Sequence, residues 1–283
     1  MSTPYYINYN GFIYKDDEAI FTAKNRGFRY GDALFETIRV VNGKPCFLED
    51  HFRRLKKGME TLKMKPGGNI SFNDLKDQIE KLLAKNHINK GGRIRLSVFR
   101  SADGFFAPKN QTKSYVIEAK PFDDNEYVLN EKGLVIDTYN ELRRCRNSLS
   151  QIKTTNSIPN VLAGIYKDEN NLDECIMLND LGRITEAISS NIFLYKNHNI
   201  YTPALDEGCM DGVMRKQILK VAGEMNINIF EGMLNGSMLL QADEMFLTNA
   251  IRGIQWVGSY RQKRYFNKAT KEILAKINEL VTV

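Results

Sequence analysis

The sequence contains few of the residues that build disulfide frameworks or metal sites. Its four cysteines, Cys46, Cys145, Cys175 and Cys209, lie far apart and form no CxxC pair. This spacing is typical of reduced thiols and predicts a cytoplasmic protein. The three histidines do not lie at ligand spacing from cysteines or carboxylates, so the sequence predicts no metal site.

Long apolar segments are also missing. The first ten residues, MSTPYYINYN, lack the basic and apolar regions of a secretion signal, and no segment approaches the length of a membrane span. The chain has 283 residues, of which 42% are hydrophobic and 26% charged. These values predict a soluble globular protein with a large core and two domains.

The charge of the chain is positive but dispersed. Forty Lys and Arg residues against 34 Asp and Glu residues give a net charge of +6. The basic residues are spread over several predicted helices rather than gathered in one arm. This distribution argues against nucleic-acid binding and favours a solvated surface that attracts anionic small molecules.

The first third of the chain alternates strand and helix patterns. Two Asn-Gly turns separate runs rich in aromatic and β-branched residues and predict two hairpins. An amphipathic helix is predicted from Leu48, and a second helix is predicted after Ser71, which caps it. Strands are predicted at 93–100 and 115–120. Residues 1–120 are therefore interpreted as a compact α+β domain.

The rest of the chain predicts a second domain. Residues 121–130 are polar and have neither helical nor strand periodicity, so we expect a linker there. Residues 131–283 again mix both element types, with helices predicted at 159–168, 212–225 and 268–280 between short strands. The fold class indicated by the whole pattern is mixed α and β.

Four features carry potential chemistry. Lys153 lies in a charge-poor stretch, Glu186 precedes an apolar strand, Gly212 opens a predicted helix, and Asn249 ends a strand. Taken singly, each is more often a surface or capping residue. In this order they supply an amine, a carboxylate and backbone N–H groups, which are the parts needed to hold pyridoxal 5'-phosphate. Arg54 would add a bidentate contact to the phosphate.

From roughly residue 27 to residue 258 the chain resembles the class IV (fold-type IV) pyridoxal-phosphate enzymes. These are branched-chain aminotransferases, D-amino-acid aminotransferases and aminodeoxychorismate lyases. The matching stretches are RGFRYGDALFETIRV, HFRRL, IKTTN, RITEAISSNIF, GVMRK and ADEMFLTNAIRGI. The resemblance implies a D-amino-acid-aminotransferase-like fold, with a small α+β domain and a larger pseudo-barrel domain that carries the lysine. It also implies a homodimer.

The resemblance further implies roles for individual residues. Lys153 matches the family's imine-forming lysine, and Glu186 matches the partner of the pyridine nitrogen. Further positions match residues that contact the phosphate, pack on the ring or support the cofactor, and they are Tyr30, Arg54, Ser189, Ser190, Asn191, Met210, Gly212, Val213, Met214, Asn249 and Ala250.

Aromatic residues and arginines are candidates for a substrate pocket. An apolar pocket rimmed by cations suits an apolar amino acid whose carboxylate pairs with arginine. Core packing is the ordinary alternative for the aromatic side chains. The candidates are Phe35, Phe105, Phe106, Trp256, Arg39, Arg95 and Arg252.

The leading hypothesis is an aminotransferase for apolar, branched-chain amino acids, with 2-oxoglutarate as the usual partner. Lys153 would take the proton from the substrate Cα and return it to the cofactor. Branched-chain aminotransferases carry glycine at the position of Thr37 and tyrosine at that of Ile158, so the match is imperfect.

The alternative is a lyase that releases pyruvate and 4-aminobenzoate from aminodeoxychorismate. Thr37, whose hydroxyl would assist protonation of the reacting carbon, and Asn156 look like the lyase pattern, but Phe105 and Phe106 stand where a second arginine is expected. The D-amino-acid option is weaker because paired cations for its carboxylate are not evident. A basic, non-enzymatic scaffold protein is the third possibility.

Overall fold

The computed structural model describes residues 5–64 and 71–282. The first four residues of the MSTPYYINYN segment lie outside this range. The chain divides into two compact units: Met1–Glu126 with Ile152–Asn156, and Tyr127–Gln151 with Ser157–Val283. The predicted boundaries of independent domains, at residues 120 and 131, remain a prediction.

The first unit is a sheet covered on one face by helices. Its strands pair antiparallel in the order β2-β1-β6-β5-β3-β4. In chain order its elements are β1 (Tyr6–Tyr9), β2 (Phe12–Lys15), α1 (Arg26–Tyr30), β3 (Ala33–Val41), β4 (Lys44–Pro45), α2 (Leu48–Thr61), α3 (Phe72–Lys85), β5 (Gly91–Arg100) and β6 (Lys113–Phe122).

The core of this unit lies between the sheet and α2 and α3. Leu34 and Ile38 of β3 pack in one buried cluster with Leu55 of α2 and Ile79 of α3. Because successive side chains of a strand point to opposite faces, Phe35 and Thr37 point away from the helices. Ser71 caps α3 by accepting the Asp74 N–H, which confirms the predicted helix start.

The second unit is larger and contains a mixed sheet. Its elements are β7 (Leu134–Arg144), α4 (Ile158–Glu169), β8 (Glu174–Asn179), β9 (Ile184–Ala187), β10 (Asn191–Lys196), β11 (Asn199–Pro203), a 3₁₀ turn (Leu205–Glu207), α5 (Val213–Glu224), β12 (Asn228–Gly232), α6 (Gly236–Gln241), β13 (Glu244–Asn249), β14 (Gly253–Tyr260), β15 (Lys263–Arg264) and α7 (Lys268–Val281).

This second sheet curls. The strand order is β12-β11-β10-β13-β14-β7-β8-β9, with β15 added to β14. β9 leads into β10 through a short turn in which Ala187 donates its N–H to the Ser190 carbonyl over 2.8 Å. β9, the last strand in this order, therefore lies beside β10. The expected mixture of helices and strands, with a curled second sheet, is confirmed.

Five short elements were not predicted, namely α1, β9, the 3₁₀ turn, α6 and β15. β9 is buried at every position, so it lacks the alternation that marks a half-exposed strand. α1 has five residues and α6 has six, too few to establish a helical period. Within residues 5–64 and 71–282, no helix has both the length and the apolarity to cross a membrane.

Candidate active site

Lys153 lies in a short extended segment of the first unit that pairs with the start of β3. Phe35 donates its N–H to the Lys153 carbonyl over 2.9 Å, and Thr155 donates to the Ala33 carbonyl over 3.1 Å. Ile152 is buried in the core of the unit. The backbone around the lysine is therefore fixed, while its side chain is only half-buried. The sequence had assigned this lysine to the C-terminal domain, because pairing with a distant strand leaves no local pattern.

The Phe35 ring contacts two cations. Lys153 Nζ lies 4.5 Å from the ring centroid, and the guanidinium carbon of Arg95 lies 4.0 Å from it. Thr37 stands opposite Arg95 in the β3–β5 register. Phe35, Thr37 and Arg95 therefore share the sheet face that is turned away from α2 and α3. Four residues singled out in the sequence thus meet in one place.

Arg39 differs from the expectation that it rims a substrate pocket. Its side chain is only 5% exposed. Its Nη2 donates to the carbonyls of Asp124 and Glu126 over 2.5 and 3.0 Å, and its guanidinium lies 5.0 Å from the Phe122 ring centroid. A guanidinium held by backbone carbonyls in this way fixes the chain that follows β6. The structure thus places Arg39 as a structural residue.

Tyr30, at the end of α1, lines a cavity of about 270 Å³ with Arg26, Arg100 and Phe106. The Arg26 guanidinium lies 4.9 Å from the Tyr30 ring centroid, and the Phe106 ring lies 5.5 Å from it. Phe105 and Phe106 are 84% and 87% exposed. Neither phenylalanine therefore packs in a core, which was the ordinary alternative for these side chains.

Arg54, the predicted phosphate ligand on α2, is held by the buried Glu36, which also contacts His51. Its Nε and Nη2 donate to Glu36 over 2.8 and 2.5 Å, and His51 Nδ1 lies 2.6 Å from Glu36 Oε2. Burial alone would raise the pKa of Glu36, but Arg54 and His51 outweigh it and lower this pKa to about 2. Burial lowers the pKa of His51, so its imidazole is neutral at neutral pH. The sequence did not indicate this arrangement.

In the second unit, Glu186 lies on β9 and is paired with a cation. Its Oε1 lies 2.8 Å from Arg144 Nη1, and its Oε2 accepts the Met210 N–H over 2.7 Å. The residue is only 5% exposed. The ion pair and the hydrogen bond fix the carboxylate in one orientation. Arg144 was missed because it lies on β7, outside every recognised motif.

The turn before α5 admits only glycine at position 212. A Cβ on Gly212 would lie 1.9 Å from Asn191 Oδ1. The amide nitrogen of Asn191 donates to the Met210 carbonyl over 2.8 Å, which fixes that side chain. α5 begins at Val213, and the first N–H groups of a helix have no partner within it. The N–H groups of Val213 and Met214 are therefore suited to an anion.

Asn249 joins the end of β13 to the start of β10. Its Nδ2 donates to Ser190 Oγ over 3.0 Å, and its Oδ1 accepts the N–H groups of Ile251 and Arg252 over 3.0 and 2.9 Å. The Asn249 side chain thus shapes the turn that follows the strand. This contact explains why an amide is needed at the strand end.

The other predicted residues of this unit make different contacts. Ser189 and Arg252 are exposed, and Trp256 is half-buried. The Ala250 carbonyl accepts the Tyr127 hydroxyl over 2.9 Å. Ser189 lies in the turn between β9 and β10, Ala250 and Arg252 lie in the turn between β13 and β14, and Trp256 lies on β14.

Comparison with known proteins identifies the family. Residues 33–260 match the family model described as amino-transferase class IV. The chain is 30% identical over 248 residues to aminodeoxychorismate lyase from Bacillus subtilis (strain 168), covering 86% of this chain and 82% of that protein. It is 28% identical over 252 residues to D-alanine aminotransferase from Bacillus licheniformis, covering 85% and 83%.

The chain belongs to the class IV aminotransferase family. Its fold is similar to that of a solved branched-chain aminotransferase from Thermobaculum terrenum in its PLP form. That comparison has a TM-score of 0.89, 20% identity, and coverage of 99% of this chain and 95% of the other. The family depends on pyridoxal 5'-phosphate.

The residues of this class IV chain fit the cofactor. Thr248 pairs with Asn191 across β13 and β10, so both side chains lie on one face of the sheet. Thr248 Oγ1 is buried and has no hydrogen-bond partner among the residues that the structure describes. A buried, unpaired hydroxyl beside Asn191, whose amide contacts the turn at Gly212, suits a phosphate oxygen. The sequence noted Thr248 only as part of a strand end.

Proposed function

We propose that this chain is a pyridoxal-phosphate-dependent aminotransferase for apolar, branched-chain amino acids, with 2-oxoglutarate as the usual partner. One observation carries the proposal. The Phe35 ring contacts both the Lys153 amine, at 4.5 Å, and the Arg95 guanidinium, at 4.0 Å. An amine, an apolar ring and a guanidinium in contact match the reacting centre, side chain and carboxylate of such a substrate.

Each residue has a distinct task in this proposal. Arg95 pairs with the substrate carboxylate, and Phe35 packs against the apolar side chain. Lys153 Nζ would take the Cα proton and later return a proton. The bound cofactor supplies an electron sink for the charge left at Cα. Glu186 holds the proton on the ring nitrogen, and Arg144 orients that carboxylate.

The phosphate would be held at the start of α5. The N–H groups of Val213 and Met214 and the Thr248 hydroxyl are the proposed donors in the second unit. Arg54 of the first unit is proposed as a phosphate ligand from the family resemblance alone. Gly212 supports this assignment because any larger residue would collide with Asn191. A helix N-terminus also favours a dianion through its dipole.

Lyase chemistry on aminodeoxychorismate is the second candidate. The similarity to the Bacillus subtilis protein of that name supports it, as does the hydroxyl of Thr37 opposite Arg95. In that reaction Thr37 Oγ1 would deliver a proton while pyruvate leaves. The similarity to D-alanine aminotransferase means that the assay must also test whether the amino-acid substrate is the L or the D enantiomer.

A substrate assay separates these reactions. Holoenzyme incubated with 2-oxoglutarate and L-leucine is expected to form glutamate, whereas D-alanine is expected to give little product. In parallel, aminodeoxychorismate is tested for release of pyruvate and 4-aminobenzoate. Glutamate from D-alanine alone, or 4-aminobenzoate without any transamination, would replace the leading proposal by the corresponding alternative.

The lysine is tested in the same preparations. Lys153→Ala is expected to lose the visible absorption of lysine-bound cofactor and all turnover, because no other amine replaces it. Lys76→Ala serves as the control, since Lys76 is 51% exposed and pairs only loosely with Glu80 at 3.9 Å. Retained absorption and turnover in Lys153→Ala would contradict an enzymatic role for this residue.

We further propose a cytoplasmic homodimer. Four apolar residues of α4 recur at helical spacing and are 43–68% exposed, namely Ile158, Val161, Leu162 and Ile165. An apolar stripe of this kind is typical of a helix that packs against a partner. None of the four cysteines, all of which lie among the described residues, forms a disulfide, as expected in a reducing compartment.

A further inference from the structure

We propose that Glu36 and His51 are positioning residues that hold Arg54 in one orientation for recognition of the cofactor phosphate. The inference rests on the proposed role of Arg54 as a phosphate ligand. It adds two residues that neither the motifs nor the comparisons assign. All three lie within the first unit.

Glu36 links the three side chains, because both His51 and Arg54 contact its carboxylate. Glu36 and His51 are each 1% exposed, and Arg54 is 9% exposed. Two N–H groups on one edge of the guanidinium donate to the two oxygens of Glu36, over 2.8 and 2.5 Å. His51 Nδ1 lies 2.6 Å from the second of these oxygens. The carboxylate is therefore bound from two sides.

This geometry fixes the plane of the guanidinium. A bidentate pair between arginine and a carboxylate leaves the guanidinium one in-plane orientation. Glu36 stands on β3, whereas His51 and Arg54 stand one turn apart on α2. The ion pair therefore fixes the position of the guanidinium relative to the sheet. Without this pair, the position would depend on the flexible arginine side chain.

The protonation states support the same reading. The low pKa of Glu36, about 2, keeps its carboxylate charged at any pH at which the protein works. His51 is neutral and acts as a donor through Nδ1 to Glu36. Its Nε2 is buried and has no hydrogen-bond partner among the described residues. The hydrogen bond from Nδ1 is therefore the contact through which His51 orients Glu36.

A purely structural role would give the same contacts, because the ion pair also fastens α2 to the sheet. The two roles differ in what they do to ligands with and without a phosphate. Pyridoxal shares the ring and aldehyde of pyridoxal 5'-phosphate but has no phosphate. A positioning role therefore affects only the phosphorylated ligand, whereas loosening of the helix affects both.

The experiment titrates apoenzyme with pyridoxal 5'-phosphate and with pyridoxal. Glu36→Gln is expected to weaken binding of the phosphorylated ligand by about tenfold or more and to leave pyridoxal binding unchanged. Combined with Arg54→Lys, it is expected to add little to the loss caused by Arg54→Lys alone. Arg53→Gln, a change at a neighbouring residue that is 66% exposed, is the matched control and should bind both ligands normally.

Histidine variants keep the test informative if Glu36→Gln does not fold. His51→Leu is expected to weaken pyridoxal 5'-phosphate binding selectively, and His51→Asn, which restores a donor near Nδ1, to recover part of it. Equal loss of both ligands, or additive losses in the double variant, would overturn the proposal in favour of a structural role. Binding is measured without turnover, so a failure here is distinct from a failure of the proposed reaction.

Discussion

At the scale of single residues, Glu174 is the carboxylate with the least favourable surroundings for its charge. It opens β8, and its Oε1 accepts the N–H groups of Cys175 and Ile188 over 3.0 and 3.1 Å. Burial raises the pKa of Glu174 to about 7 despite these bonds and despite the opposing charges of Lys167 and Arg252. The bond to Ile188 holds the turn that leads into the predicted cofactor loop.

This raised pKa predicts how stability depends on pH. A glutamate of the unfolded chain titrates near 4.5, so between about pH 4.5 and 7 the folded protein binds more protons than the unfolded chain. The contribution of Glu174 to stability therefore falls as pH rises through this window. Glu174→Gln keeps an acceptor for both N–H groups and is expected to be more stable than wild type at pH 8, by on the order of 1 kcal/mol.

Chemical denaturation at pH 4, 6 and 8 checks this expectation. The advantage of Glu174→Gln should disappear at pH 4, where the carboxyl is protonated in both states. Glu169→Gln, a change at an exposed residue of α4, is the control and should follow the wild-type profile. A constant difference between Glu174→Gln and wild type across the three pH values would show that Glu174 does not titrate in this range.

Chemically distinctive residues were the easiest to find in the sequence. Lys153 and Glu186 belong to short motifs, and their local neighbours identify them. Arg144, His51 and Thr248 were missed, because each acts through a contact with a residue far away in the chain. Such contacts depend on strand register and helix packing, which a local pattern does not contain.

At the scale of secondary-structure elements, the start of α5 is sensitive to a single methyl group. Gly212→Ala would place a Cβ against Asn191 Oδ1, so either the asparagine or the first turn must shift. We expect a loss of stability of about 1–3 kcal/mol and weaker binding of pyridoxal 5'-phosphate. The backbone of Gly212 has a φ of −72°, so the effect comes from lack of space and not from backbone strain.

The same helix offers a matched control. A Cβ on Gly223 would meet nothing within 4 Å, and Gly223 lies inside α5. Gly223→Ala is expected to stabilise the protein by about 0.5–1 kcal/mol, because alanine is the better helix former. Thermal unfolding and cofactor titration of the two variants should move in opposite directions. Equal behaviour would mean that the turn before α5 tolerates a side chain.

Elements with a strong period were predicted well. α2, α3, α5 and α7 each repeat apolar residues along one face. α2 and α3 begin where the sequence predicts, and α5 and α7 lie within one residue of the predicted bounds. β9 was missed although it carries Glu186. Its four residues are all buried, so neither a helical nor a strand period is visible in its sequence.

At the scale of the whole molecule, the apolar stripe on α4 predicts the state of assembly. Ile165 is 50% exposed and lies at the C-terminal end of this stripe. Ile165→Glu would place a charge in the proposed interface and is expected to yield a monomer of 32.5 kDa by light scattering. Wild type is expected at twice this mass.

A second apolar residue tests whether any surface charge has this effect. Leu280 of α7 is 39% exposed and lies outside the stripe, so Leu280→Glu should remain dimeric. Circular dichroism of both variants should match wild type. A monomeric wild type, or a dimeric Ile165→Glu variant, would move the interface away from α4.

The assignment of chain segments to the two units could be predicted less well than the helices and strands themselves. Mixed α and β structure and a division in the region of residues 121–130 follow from local patterns, and the structure divides between Glu126 and Tyr127. The return of residues 152–156 to the first unit was not predicted. This return is made by backbone hydrogen bonds, which do not depend on side-chain type.

That return means that the first unit is not encoded by one continuous stretch of gene. A product truncated after codon 126 would contain all six strands and α1 to α3, yet it would end before the amine on which the chemistry depends. Supplying a peptide that spans 152–156 in trans is the simplest route to reconstitution. When the chain is produced as two fragments divided within 127–151, the visible absorption of lysine-bound cofactor is expected only when both fragments are present.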